Sequence, residues 1–173
     1  MTRPGEYAQI LLECFRTALE TNPAPPPQEK ICLRFGSEVN PQLGTLEDEC
    51  CTGLAWVRVA DVSAIVDPDD QQAGNCPITT ARRLTLEIGT ARCIPFGTVQ
   101  APPSCDTWTE KALQMDADLA SIEAALCCFA SAVEDLSDEP RVFPGEYAPG
   151  GPDGNCISGT MTVIIDYDCG CAG

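Results

Sequence analysis

The sequence predicts one α+β domain in which two helices pack on one face of a mixed, mostly antiparallel sheet. Two segments carry apolar residues at helical spacing, and four segments alternate apolar and polar residues as half-buried strands do. These segments follow one another in the order α-β-β-β-α-β. A chain of 173 residues can bury one sizeable hydrophobic core, so we assign residues 1–173 to a single domain.

The first helix is predicted over residues 6–21, where apolar side chains recur every three or four positions, and it ends before Asn22 and Pro23. Apolar side chains then alternate over residues 31–37, 53–66 and 82–95, which we predict to be strands. Loops rich in proline or glycine, or in polar residues, are expected at about residues 22–30, 67–80, 95–106 and 137–156.

A long amphipathic helix is predicted from Trp108 to Leu136, because large apolar residues fall there at alternating steps of four and three. Thr107 is the expected N-cap, and Glu110 would complete a capping box. Such a stripe is typical of a helix that lies on a sheet. A last strand is predicted over residues 156–169.

A second line of small residues follows the back of this long helix. Small side chains let another backbone approach closely, so the line predicts a helix that is covered on two sides. Either a second helix of the same domain or a neighbouring subunit would provide that cover. The candidate subunit-interface residues are Ala117, Ser121, Ala124, Cys128 and Ala132.

The charge of the chain argues against two classes of partner. The formal net charge is −16 and no Lys/Arg cluster is present, so we expect no grip on nucleic-acid phosphates. No apolar run reaches the roughly 18 residues needed to span a bilayer, and the first residues lack the pattern of an export signal. We therefore expect a protein without a membrane partner that is soluble and intracellular when made.

The sequence predicts no enzyme, and it offers no catalytic, cofactor-binding or metal-binding residues. Without histidine, the Ser-His-Asp and Cys-His arrangements and the zincin motifs are excluded. The glycine motifs of nucleotide-binding loops are absent as well. The acidic run at residues 66–70 lacks the glycine and the distal glutamate of a calcium loop, so we interpret it as a solvated loop.

Twelve cysteines remain to be explained. No C-x-x-C hook of the kind that holds structural zinc occurs, and Cys127 and Cys128 lie inside a helix, about 100° apart around its axis. We predict bridges between distant segments, with Cys76, Cys105 and Cys156 as participants. The candidate structural or disulfide cysteines are Cys50, Cys51, Cys76, Cys93, Cys105, Cys127, Cys128, Cys156, Cys169 and Cys171.

Four segments resemble the head-to-tail connector proteins of long-tailed phages (siphoviruses) that infect actinobacteria, and among these the tail terminators. The segments are ECCTGLAWVRV, NCPITTARRLTLEIGTARCIP, MDADLASIEAALCCF and GNCISGTMTVII. The resemblance covers most of residues 5–168 and rests on the spacing of cysteines and apolar residues. It implies a small mixed domain with two helices on one face of a sheet, and it carries over no catalytic residues.

The same resemblance implies a structural virion protein at the head–tail joint that is assembled in the host cytoplasm. Such a protein forms a homo-oligomeric ring, typically a hexamer, which caps the tail tube and ends tail polymerisation. Its partners would be the major tail tube protein and the stopper or adaptor proteins, while genomic DNA passes through without specific binding. An adaptor or stopper role in the same joint is one alternative, and a cysteine-rich metal-binding protein is a more distant one.

Overall fold

The structure is a computed structural model that describes residues 3–36, 52–65, 81–94, 102–134, 136, 140–153 and 156–168. Two α-helices, a short 3-10 helix and five strands make up this part of the chain. In chain order they are α1 (Pro4–Leu19), the 3-10 helix (Gln28–Lys30), β1 (Ile31–Phe35), β2 (Leu54–Ala64), β3 (Ala81–Cys93), α2 (Cys105–Val133), β4 (Arg141–Asp153) and β5 (Cys156–Asp168).

The five strands form one sheet in the order β1-β2-β3-β5-β4. Only β1 and β2 run parallel, and every other neighbouring pair is antiparallel. Both helices contribute to a single core on one face of this sheet. The predicted α+β class and the mixed, mostly antiparallel sheet with two helices on one face are therefore confirmed.

Alternation along the central strands decides which side chains meet the helices. Leu84, Leu86 and Ile88 of β3 are fully buried, and Val163 and Ile165 of β5 are buried on the same side. Burying an aliphatic side chain of this size contributes roughly 1.5–3 kcal/mol, so these strands and the helices above them hold one another in place. The sequence prediction for β3 and β5 is confirmed within two residues at each end.

Strand β4 corrects the predicted loop at 137–156. Its sequence, RVFPGEYAPGGPD, contains three prolines and three glycines, a composition that is typical of turns. Within the described part of the chain, β4 lies at the edge of the sheet and pairs with β5 alone. Proline cannot donate a backbone hydrogen bond, but an edge strand tolerates it. The edge position therefore allows this segment to pair with β5 despite its three prolines.

The start of α2 also differs from the prediction. The helix begins at Cys105 rather than near Trp108, and its N-cap is Ser104 rather than Thr107. The backbone N–H of Thr107 donates to the Ser104 hydroxyl at 3.2 Å. Ser104 follows Pro102 and Pro103, and a proline disfavours helical geometry in the residue before it, so the helix begins after the two prolines. Serine is a favoured N-cap residue, and Ser104 is the first residue after the prolines.

Candidate functional site

The first thirteen residues of α2 are much less covered than the rest of the two helices. No residue from Cys105 to Ala117 is buried, whereas buried positions recur from Asp118 onwards. Two large apolar side chains in this stretch face solvent: Leu113 is 66 % exposed and Trp108 is 42 % exposed. We call residues 105–117 the acidic helix half, because its charged residues are Asp106, Glu110, Lys111 and Asp116.

An apolar groove runs between α2 and the edge strand β4. It contains two cavities, of about 520 Å³ under the acidic helix half and about 450 Å³ further along α2. Trp108, Met115 and Tyr147 line the first, and Leu126 and Met161 line the second. The groove exists because α1 packs beside α2 over β1 and β2, so that no helix of the described chain covers the β4 side of the sheet.

A buried polar cluster anchors α2 at the boundary of the exposed half. The Arg92 guanidinium donates to both carboxylate oxygens of Asp118, at 2.8 and 2.5 Å, and both side chains are almost completely inaccessible. The Asn22 amide donates to Asp118 at 2.9 Å and to the Ser121 hydroxyl at 3.1 Å. This cluster joins the segment after α1, the end of β3 and the middle of α2.

Arg92 requires a glycine beside it. A β-carbon at Gly53 would lie 2.6 Å from Arg92 Nη1, and the backbone of Gly53 has φ +90°, which is strained for other residues. Gly53 therefore leaves room for the guanidinium where β2 begins.

Tyr147 reaches from β4 across the sheet towards the same cluster. Its ring lies over Gly159 of β5, where any β-carbon would overlap the phenol. Burial raises the pKa of Tyr147 to about 12, and the negative charges of Asp118 and Asp116 add to this effect. Among the described residues, the Tyr147 hydroxyl is buried without a hydrogen-bond partner, as is the hydroxyl of Thr90. Thr90 is the residue paired with Gly159 on the neighbouring strand.

The opposite end of the sheet carries charges of both signs, which are those of Arg82, Arg83 and Arg141 and of Asp61, Asp166 and Asp168. Arg83 makes a bidentate ion pair with Asp166, in which Nε donates to Oδ1 and Nη2 donates to Oδ2, each at 2.8 Å. This hydrogen bonding holds the pKa of Asp166 below its usual range. Arg82 and Arg141 lie at the same end and form no ion pair within the described residues. Val62 and Phe143 are 45 % and 46 % exposed there.

The face of the sheet that the helices leave open carries a second ion pair. Arg58 donates to Glu87 at 2.7 and 3.2 Å, and the Trp56 indole N–H donates to the same carboxylate at 2.9 Å. Trp56 packs across Gly89, where a β-carbon would lie 2.7 Å from the ring. These contacts hold β2 and β3 together, and we assign them a structural role.

The structure divides the described cysteines into bonded and free. Cys14 of α1 and Cys128 of α2, which are 114 residues apart, form a disulfide bond, so one bridge between distant segments is present. Sequence reasoning had not selected Cys14, because its position at helical spacing indicated a core residue. Cys93 and Cys156 are disulfide-bonded as well.

Other cysteine predictions are corrected or lie elsewhere. Cys105 and Cys127 are exposed free thiols, and Cys32 is also free, so the first two are not disulfide cysteines in this structure. They sit on the outer surface of α2, with no described cysteine within bonding distance. Cys50, Cys51, Cys76, Cys169 and Cys171 lie outside the described residues, as does the acidic run at 66–70.

Two of the five small residues on α2 contact α1 or the segment just after it. Ser121 bonds to Asn22 and Cys128 bonds to Cys14, so for these two residues a helix or segment of the same domain provides the cover. Ala117 is half-buried, and Ala124 and Ala132 are exposed. The subunit-interface prediction thus stays open only for the residues that α1 leaves accessible.

The described residues lack two further features. They contain no group of three or more histidine, cysteine or acidic residues placed to hold a metal ion. They also contain no helix that is long and apolar enough to cross a membrane. No family model matches the chain, and no curated protein matches it significantly.

Proposed function

We propose that this chain is a structural subunit of the head–tail joint of a long-tailed phage, where it forms a ring that caps the tail tube, ends tail polymerisation and connects the tail to the head connector. The observation that carries this proposal is the uncovered acidic helix half beside an apolar groove. An isolated domain gains nothing from exposing Trp108 and Leu113 on a long helix, whereas a subunit buries such residues on assembly.

The fold supports the proposal because it agrees with what the resemblance implies. Two helices lie on one face of a mixed sheet in one small domain. This agreement concerns architecture alone, since the same fold class serves many unrelated functions. The segments that carry the resemblance include the first half of β2, all of β3, most of the buried half of α2 and most of β5, which contribute to the core of the domain.

The charge also fits a ring through which DNA passes. Each chain carries −16, so six copies would carry about a hundred negative charges around a central channel. Such a surface repels phosphates and does not retain them. The disulfide between Cys14 and Cys128 ties α1 to α2, which suits a particle that leaves the reducing cytosol for oxidising surroundings.

Imaging by electron microscopy tests the proposal. We expect the purified protein to form rings, and we expect it to cap one end of purified tail tubes that lack heads and to stop their further growth. An unrelated protein of similar size and charge serves as the control for non-specific adsorption. Binding to the portal end of tail-less heads, with no binding to tubes, would instead assign the adaptor or stopper role, and a chain that binds neither would refute the proposal.

A further inference from the structure

We propose that the apolar groove between α2 and β4 receives an amphipathic helix of a partner protein, whose apolar side enters the groove and whose flanking side chains are basic. The inference rests on the proposed function only for where this partner is met, which is among the other proteins of the head–tail joint. The chemistry of the partner follows from the shape, the lining and the charge of the groove.

The groove is long enough for a helix and has room for its side chains. Its lining residues on α2 run from Trp108 to Ala130, which corresponds to about 33 Å of helix. Two cavities, of about 520 and 450 Å³, lie along this length, so apolar side chains can enter at two places. Ala112 lines the first cavity and Ala130 the second, and both are exposed, so these small side chains leave the groove open.

The lining is apolar and adaptable. Met115 lines the first cavity and Met161 lines the second, and apart from Met1 these are the methionines of the chain. Methionine is flexible and polarisable, and it is common on surfaces that bind amphipathic helices. Trp108, which is 42 % exposed, adds a large aromatic surface to the first cavity.

An added helix suits this edge of the sheet better than an added strand. A further strand would have to pair with β4, which within the described chain is an edge strand. Pro144, Pro149 and Pro152 lack the backbone N–H that such pairing needs, and prolines at an edge oppose strand addition. Pro144 and Pro149 line the cavities and present apolar surface to the groove.

The charge of α2 favours a basic partner. Lys111 is the only base of the helix, whereas its exposed carboxylates, with that of its C-cap, are Asp106, Glu110, Asp116, Glu123 and Glu134. Asp116 lines the first cavity and Glu123 the second, and neither has an ion-pair partner within the described residues. Lysine or arginine beside the apolar side of an incoming helix would pair with these two carboxylates.

Basic side chains of this chain do not offset the two carboxylates. Lys111 lines the first cavity, but it is already held by Glu110 at 3.6 Å and by Gln114 at 3.2 Å. The one base of β4 is Arg141, which lies opposite Asp166 in the register with β5. The groove therefore keeps a negative charge that a basic helix would neutralise.

Two synthetic peptides test the proposal on the purified full chain. Each has about 21 residues, enough to span the groove as a helix, with leucines at helical spacing on one side. The other side carries lysine in one peptide and glutamate in its control.

Two natural side chains report on the groove. Trp56 is 1 % exposed, so a shift in tryptophan fluorescence reports Trp108. Cys127 is an exposed free thiol in the second cavity, and Cys32, a free thiol on β1 at the other edge of the sheet, is the internal reference for alkylation. We expect the lysine peptide to shift the Trp108 emission and to slow alkylation of Cys127 at least about ten-fold, and the glutamate peptide to do neither.

Matched variants locate the binding. Ala112→Arg with Ala130→Arg places bulk and positive charge in both cavities. The control Ala124→Arg with Ala132→Arg makes the same change at exposed positions of α2 that do not line them. Arginine is a good helix former, so both should fold, as thermal unfolding verifies. We expect the first variant to bind the lysine peptide at least about ten-fold more weakly, and the control to bind it nearly as the natural chain does.

A milder variant tests the charge without filling the groove. Asp116→Asn with Glu123→Gln keeps the shape of both side chains, and it should weaken binding of the lysine peptide at least about three-fold. Glu13→Gln with Glu20→Gln removes the same charge from α1 and its C-cap, and it should bind as the natural chain does.

The outcomes separate this inference from the proposed function. Equal binding of the two peptides, or equal binding by a variant and its control, would overturn the inference, because the attraction would then be non-specific. Alkylation of Cys127 that is rapid only in dilute protein would also overturn it, since a second copy would then fill the groove. A chain that caps tail tubes but binds no peptide keeps its function and loses the inference, whereas a chain that binds the peptide but forms no ring loses the function alone.

Discussion

Replacing Asp118 with asparagine should destabilise the domain strongly, because the change leaves the Arg92 charge buried without a counter-charge. The Asp118 side chain is 0 % exposed and that of Arg92 is 4 % exposed. Removing one partner from a buried ion pair costs about 3–5 kcal/mol. For a chain of this length, 1 kcal/mol corresponds to about 2–4 °C, so the melting temperature should fall by roughly 6–20 °C.

The assay is thermal and urea unfolding followed by circular dichroism, with Asp166→Asn as the matched control. The Arg83–Asp166 pair has the same bidentate geometry, but the Arg83 side chain is 48 % exposed. Water therefore solvates the Arg83 charge when the carboxylate is removed. Asp166→Asn should therefore cost much less stability than Asp118→Asn. Equal losses in the two variants would refute the reasoning, because burial would then not decide the cost.

A paired replacement tests the physical cause further. Arg92→Met combined with Asp118→Leu removes both charges together, so it should lose much less stability than Asp118→Asn alone. If the double variant is the less stable of the two, the Asn22 and Ser121 hydrogen bonds, and not the uncompensated charge, dominate the cluster.

Three further predictions concern the bridge and the Tyr147 contact. Cys14→Ser should lower the stability of oxidised protein by about 2–4 kcal/mol and leave reduced protein nearly unchanged, as measured by urea unfolding with and without reductant. An effect of equal size under reduction would mean that packing at Cys14, and not the bridge to Cys128, is what matters. Ultraviolet titration should show one tyrosine ionising near pH 12, and because the folded pKa is the higher one, stability should decline as pH rises from about 10 towards 12. Tyr147→Phe should remove that part of the decline, and an unchanged pH profile would contradict the assignment. Gly159→Ala should cost about 1–3 kcal/mol by displacing the Tyr147 ring, and adding Tyr147→Ala should remove most of the extra loss; additive losses would exclude the clash.

The sequence was sufficient for most elements of the fold, because their periodicity is strong and local. Alternation over β3 and β5 and the apolar stripe of α2 predicted both the element type and the buried side. The edge strand β4 could not be predicted in the same way. Its prolines and glycines indicate turns locally, and only its place beside β5 at the edge of the sheet makes a strand possible.

The candidate site was predicted less well than the fold. The small residues on α2 correctly indicated a close neighbour, but the sequence could not distinguish α1 from another subunit. The exposure of Trp108 was also missed, because a stripe of apolar residues shows where a helix is able to pack and not how far its cover extends.

By itself the sequence determined the α+β class, the order of the elements other than β4, and the large negative charge, since each depends on composition or on neighbours in the chain. The tertiary structure alone decided that Asn22, Arg92 and Asp118 meet and that Cys14 joins Cys128. These contacts join residues 26 to 114 positions apart. The free energy of such contacts depends on burial and on the partner, which become defined only when the helices settle on the sheet.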